Sequence, residues 1–276
     1  MAERKRDVMK KILFFFFPLT LFAFETAPWF TPIAEFEFYP SYSYRYYPSV
    51  NRGENPSSYS SNDQNIDMNL GVNFWPNWEF QFQTDFANTR ALNWGGQRIG
   101  MQLRHLVLND VIGDLFSLAV GGKVFYVPTR NLRDVSAPYH SQGNLELGAS
   151  LGKEISSTYN WLYRFFGYLG VGTANRGYPW LRPTLSAEGK FKGSHILKGS
   201  VDGYFGFGRD SKVDISRFDG YRNIKHHSID IGVKYSYLFK IWGSIGVSYA
   251  FRVYARSFPE HASTIQAEYR LPFSLS

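Results

Sequence analysis

The chain has 276 residues, no cysteine and a formal net charge of +7, and 18 % of it is aromatic. Without cysteine there is no disulfide scaffold, thiol chemistry or cysteine zinc site. Mean hydropathy is slightly negative and no run of eighteen apolar residues follows the N-terminus, which argues against a helical membrane protein.

Residues 1–24 place Arg4, Lys5, Arg6, Lys10 and Lys11 against Glu3 and Asp7, ahead of a short apolar run from Ile12 to Phe24. A charged start followed by a short apolar stretch reads as a signal peptide, with the functional domain over 25–276. Without this segment the net charge falls to +4, so the basic balance gives little support to nucleic acid as a partner.

Glu25–Ile33 is proline-rich and reads as irregular. A first strand follows, with Phe36, Phe38, Tyr42, Tyr44 and Tyr46 alternating with polar residues. Residues 48–65 read as a loop. Ile66, Met68, Leu70, Val72 and Phe74 then alternate with Asp67, Asn69, Gly71 and Asn73. After Pro76-Asn77 the pattern restarts with Trp78, Phe80, Phe82 and Phe86 against Glu79, Gln81, Gln83 and Asp85. A period of two puts one set on each face of a strand, and the Pro-Asn break makes a hairpin.

The same alternation recurs at Ile99–Arg104, Phe116–Tyr126, Leu145–Leu151, Tyr163–Val171, Leu181–Phe191, Leu197–Phe207, Ile229–Tyr237, Ile241–Val253 and Ile265–Phe273. About twelve strands result, most near the nine to eleven residues that cross a bilayer when tilted. Connections alternate in length: those near 76, 113, 156, 193 and 240 are short, and 48–65, 127–141 and 208–225 are long. Trp75, Trp78, Trp161 and Tyr237 fall near short turns, and Tyr126, Tyr178, Trp180 and Tyr254 near long loops. Aromatics at both ends suit two bilayer interfaces. The expected fold is all-β: one transmembrane antiparallel up-and-down barrel with short periplasmic turns and long extracellular loops.

Over residues 34–273 the chain resembles the outer-membrane β-barrel proteins of diderm bacteria, in architecture rather than in a diagnostic motif. The resemblance implies outer-membrane lipid and the barrel-assembly machinery as partners. It also implies that an aromatic-ended last strand is the assembly signal, here Tyr269, Leu271 and Phe273. Pro272 and the trailing Ser274-Leu275-Ser276 depart from that pattern.

In a barrel the polar face lines the lumen. The fifteen pore-lining candidates are Arg98, Arg104, Lys123, Glu146, Arg164, Arg182, Glu188, Lys190, Lys198, Asp202, Asp230, Lys234, Arg252, Glu268 and Arg270; Asp67, Glu79 and Asp85 share their face. Their signs nearly balance. They read either as an ion-pair network in a blocked bore or as a narrow solute channel whose basic stretch from Arg164 to Lys198 attracts anions. A surface-exposed, adhesin-type barrel with a filled lumen is the alternative function.

A lipid hydrolase would need a histidine–serine pair at the rim, and Tyr139-His140-Ser141 with Asn144 is the candidate. Adjacent residues on an extended chain point to opposite faces, so a solvated loop pair is the expectation and no enzyme is expected. His226-His227 is expected at a rim, without metal. Asp210, Asp214 and Asp219 lack a calcium-loop spacing and read as a solvated or receptor-facing loop. No cofactor motif is present. Gly203, Gly206 and Gly208 are expected to relieve crowding in a curved sheet.

Overall fold

The computed structural model describes residues 25–157, 160–239 and 241–274, so the signal-peptide expectation lies outside the described residues. Twelve strands form the barrel wall: β1 Glu35–Tyr47, β2 Ser61–Trp75, β3 Trp78–Asn88, β4 Gly95–Leu108, β5 Ser117–Tyr126 and β6 Gly143–Ser157. They continue as β7 Asn160–Ala174, β8 Trp180–Phe191, β9 His195–Phe207, β10 Lys225–Phe239, β11 Gly243–Arg256 and β12 Ser263–Ser274. Each pairs antiparallel with its sequence neighbours, and β1 closes the barrel on β12 from Glu35↔Ser274 to Tyr46↔Ser263. Phe36 and Phe273 stack across the seam at 5.4 Å. Closure leaves no free edge, which a strand needs where no water is present to bond its backbone.

The globule is inside-out. Leu147 is 60 % exposed and Val171 54 %, whereas Asp63 and Gln83 are fully buried. The period-two alternation causes this directly: apolar positions meet the surroundings and polar ones meet each other. The short Pro76-Asn77 turn closes because Asn77 adopts φ +65°, a left-handed conformation that asparagine tolerates.

Three expectations are corrected. Strand β2 begins at Ser61, so the preceding loop is shorter than 48–65; Ser61 and Asp63 continue the inward polar register. Trp180 is not at a bilayer interface: it is 1 % exposed and points inward. The 127–141 and 208–225 connections are not simply solvated. Tyr47, Val50, Tyr59, Val135, Val213, Phe218, Tyr221, Phe258 and Ala262 form a small apolar core at the long-loop end. Residues 25–33 are irregular, as expected, and the segment enters the lumen.

Candidate functional site

The lumen is built from cross-strand ion pairs. Arg45 and Asp63, Glu79 and Arg104, Asp85 and Arg98, Lys123 and Glu146, Glu154 and Arg164, Glu188 and Lys198, and Asp230 and Arg252 are all direct register partners. All seven make salt bridges. Opposite charges facing each other on one sheet face are mutually stabilising. In a narrow bore they also repay part of each other's desolvation cost.

One group organises the β5–β8 side. Glu146 accepts from the Tyr168 hydroxyl at 2.7 Å and from Trp180 Nε1 at 2.9 Å. It pairs with Lys123 Nζ at 2.8 Å and lies 3.3 Å from Arg182 Nε. Glycines make the room: a Cβ on Gly172 would lie 1.9 Å from the Trp180 indole, and one on Gly170 would lie 2.4 Å from Glu146 Oε1. Gly206 clears His226 in the same way, at 2.1 Å, as expected for glycines in a crowded sheet.

The short-turn end is filled by Glu25–Thr31. Its backbone is held by the lumen wall, since Arg104 Nη1 donates to Ala27 O at 2.6 Å and Gln102 Nε2 to Glu25 O at 3.1 Å. Asn73 Nδ2 donates to Thr31 O at 2.7 Å and Trp29 Nε1 to Asp110 Oδ1 at 3.0 Å. Glu25 pairs with Arg270 at 2.6 Å, and Arg164 lies over the Trp29 ring at 4.7 Å. These contacts give an irregular chain the hydrogen bonds a buried backbone requires.

The long-loop end is covered by residues 127–142, which contain a short 3-10 turn at Thr129–Arg133. Asn131 Nδ2 donates to the carbonyls of Gly96 and Gln97 at 2.7 and 2.8 Å. Arg45 Nη2 donates to Ser136 O at 2.7 Å, Tyr221 to Val135 O at 2.7 Å and Tyr204 to Pro138 O at 3.1 Å. The loop is thus tied to β1, β4 and β9 and crosses the mouth as a lid. Within it, Asp134 is 1 % exposed; burial and the neighbouring Asp63 carboxylate push its carboxyl up to about 6.

His140, expected in a solvated pair with Ser141, is 2 % exposed, and Ser141 is also 2 % exposed. The lid carries them inside. His140 stacks on Trp180 at 4.1 Å, its Nδ1 is 3.1 Å from the Tyr204 hydroxyl, and burial holds its pKa well below the usual histidine value. Ser141 is held by Asn144 through its backbone, its N–H donating to Asn144 Oδ1 and its carbonyl accepting from Asn144 Nδ2. His226, expected at a rim, is fully buried among Tyr221, Tyr204 and Phe258. Among the described residues no group of three metal-ligating side chains converges.

Between plug and lid lies a chamber of about 240 Å³. Of the fifteen pore-lining candidates, Arg182, Lys198, Asp202, Asp230, Lys234, Arg252, Glu268 and Arg270 border it. Arg98, Arg104, Lys123, Glu146, Arg164, Glu188 and Lys190 face inward but are taken up in ion pairs, against the plug or, for Lys190, over the Trp161 ring. Sequence alternation does not single out Glu25, Thr26, Tyr39, Arg45, Tyr204 or Phe258, which also border the chamber. Tyr39, Arg45 and Tyr204 do lie on the polar register, but Glu25 and Phe258 arrive from segments without a period.

No protein-family model and no curated protein match the chain. Solved structures do. An outer-membrane channel of Pseudomonas putida F1 superposes with TM-score 0.61 at 11 % identity, over 92 % of this chain and 100 % of that one. The NanC porin gives 0.57 at 7 %, over 86 % and 100 %. The translocator domain of the autotransporter NalP from Neisseria meningitidis gives 0.51 at 8 %, over 87 % and 88 %.

The fold is that of bacterial outer-membrane β-barrels. At such identities the likeness concerns the fold alone, and channels and translocators share it.

Proposed function

We propose that this protein is an outer-membrane channel for small polar solutes, closed in the described state by the Glu25–Thr31 plug and the 127–142 lid. The carrying observation is the chamber between them. A barrel whose lumen served only as structural filling would be expected to pack that space. Here many inner positions of β9–β11 are short, with Ser200, Ser228, Gly232, Ser248 and Ala250, and the space stays open. A chamber of about 240 Å³ lies below the range of drug-sized pockets, so the solute is small. The porin and channel neighbours support the reading.

In this reading residues 1–24 direct export, the long loops face the outside, and Tyr269, Leu271 and Phe273 are read by the assembly machinery. The outer face, rich in Phe, Tyr, Leu and Val, meets outer-membrane lipid. No enzymatic role is proposed: His140 has a tyrosine rather than a serine at hydrogen-bond distance and sits inside the barrel.

Planar-bilayer recordings test it. The intact chain is expected to show small, intermittent conductance steps. Replacing Trp29 and Glu25 by alanine removes the indole bond to Asp110 and the pair with Arg270, and is expected to raise the open fraction several-fold. Absence of steps in both proteins would favour a barrel with a filled lumen.

A further inference from the structure

Two neighbouring charge clusters carry opposite net charge, one reaching the chamber through Arg182 and the other lining it through Asp202, Asp230 and Arg252. On one, Lys123 and Arg182 share the single carboxylate of Glu146. The Arg182 contact is off the hydrogen-bond direction: Nε and Nη2 of Arg182 are buried without a hydrogen-bond partner among the described residues. On the other, Asp202 and Asp230 are direct register partners on β9 and β10, and Arg252 pairs with Asp230 through two bonds of 2.7 and 2.9 Å, its Nη1 donating to Pro259 O at 3.0 Å. Asp202 accepts only from the Thr184 and Ser200 hydroxyls, at 2.8 and 3.1 Å, and no ion pair reaches it among the described residues.

Counting formal charges, the first stretch is +1 and the second −1. Arg182 and Asp202 are close without touching. Thr184 is the register partner of Asp202, so Arg182 lies on the diagonal, where side chains root about 7–8 Å apart. Both border the chamber. A half-buried guanidinium with two unbonded nitrogens beside an accessible carboxylate short of a cation is an incomplete charge arrangement. A molecule carrying both charges a few bonds apart completes it. A simple anion would serve Arg182 and repel Asp202, and a simple cation would do the reverse.

We infer that the chamber binds a small zwitterion, such as an amino acid, with its carboxylate toward Arg182 and its ammonium toward Asp202. This deepens the channel reading and rests on it, because the solute must reach the chamber. The surrounding hydroxyls of Thr184, Ser186 and Ser200 can bond either end without adding charge.

Calorimetry of the full chain in detergent, with L-alanine, propionate and propylamine as probes, tests the inference. Alanine is expected to bind roughly tenfold or more tightly than either singly charged analogue, the margin of one charge-assisted bond. Asp202→Asn should erase that margin, with heat-modifiable gel mobility reporting an intact barrel. The wild-type comparison among the three probes needs no variant and stands if the variant does not fold. Equal binding of the three probes, no binding of any, or a margin that survives in D202N overturns the inference. Conductance of the same preparation is read separately. Steps without an alanine margin leave the channel and remove the zwitterion site. An alanine margin without steps removes the channel and leaves the site.

Discussion

The wall formed by β1–β6 and the wall formed by β8–β12 obey the same alternation, yet one is packed and the other is open. Inward positions on β2–β4 hold long amides and charges: Asn65, Asp67, Asn69, Glu79, Gln81, Gln83, Asp85, Gln102 and Arg104, all nearly inaccessible. Side chains of that length fill the space they point into; the plug backbone bonds Gln81, Gln102 and Arg104, while the Asn69 amide and Gln83 Oε1 are buried without a hydrogen-bond partner among the described residues. On β9–β11 the corresponding positions include Ser200, Ser228, Gly232, Ser248 and Ala250, which border the chamber and are too short to fill it. The lesson is that a polar register settles which face points inward, and side-chain length settles whether the inside is filled. Two charged residues on one register can therefore have different roles: Glu146 holds the wall together, while Asp202 faces space.

That contrast can be broken most forcefully at Glu146. Glu146→Ala leaves Lys123 and Arg182 buried without their carboxylate and strands the Tyr168 and Trp180 donors. It is expected to cost about 3–5 kcal/mol, read as a shift in urea unfolding of the barrel in detergent. A loss below 1 kcal/mol would mean that the packed wall is not held by this hub.

Next in size is the lid over the packed wall. Asp134 rises from 3.8 to about 6 on burial, with Asp63 facing it and Arg45 paired to Asp63. A carboxyl raised in the closed state stabilises closure below its open-state pKa and loses that contribution as pH climbs through about 6. Roughly two units at 1.4 kcal/mol each put the full effect near 3 kcal/mol. Open probability should therefore be lower at pH 4.5 than at pH 7.5, and Asp134→Asn should flatten the dependence. A profile unchanged by that substitution would separate Asp134 from lid closure.

A smaller effect is expected at Gly172, where an added Cβ meets the Trp180 ring. Gly172→Ala is expected to cost about 1–3 kcal/mol through overpacking. The smallest effect belongs to the open wall. Asp202→Asn should change stability by no more than about 0.5 kcal/mol, because the side chain borders space and has no ion-pair partner to abandon. A large loss there would erase the distinction between the two walls.

Much of this architecture was legible in the residues. The alternation of Ile66–Phe74 and Trp78–Phe86, the Pro76-Asn77 break and the long and short connections fix strand number, orientation and the inward-facing charges, because a period of two admits one assignment of faces. Cross-strand register then pairs the charges, and register follows from the same pattern together with short turns. What the period could not reach lies in segments without one. Glu25–Thr31 has no repeating pattern, and its place in the lumen depends on Arg104, Gln102, Asn73 and Asp110, which meet only when the barrel closes. His140 and Ser141, expected in water, and His226, expected at a rim, are buried for a related reason: a polar segment at a strand end can be solvated or covered, and only neighbours distant in sequence decide which.

The sequence by itself determined a closed sheet with an apolar exterior and an ionically compensated interior, since alternation is a local property of consecutive residues. The tertiary structure alone decided that both ends are covered and that a chamber remains along one wall, since those outcomes depend on how far side chains from opposite strands reach across a shared space.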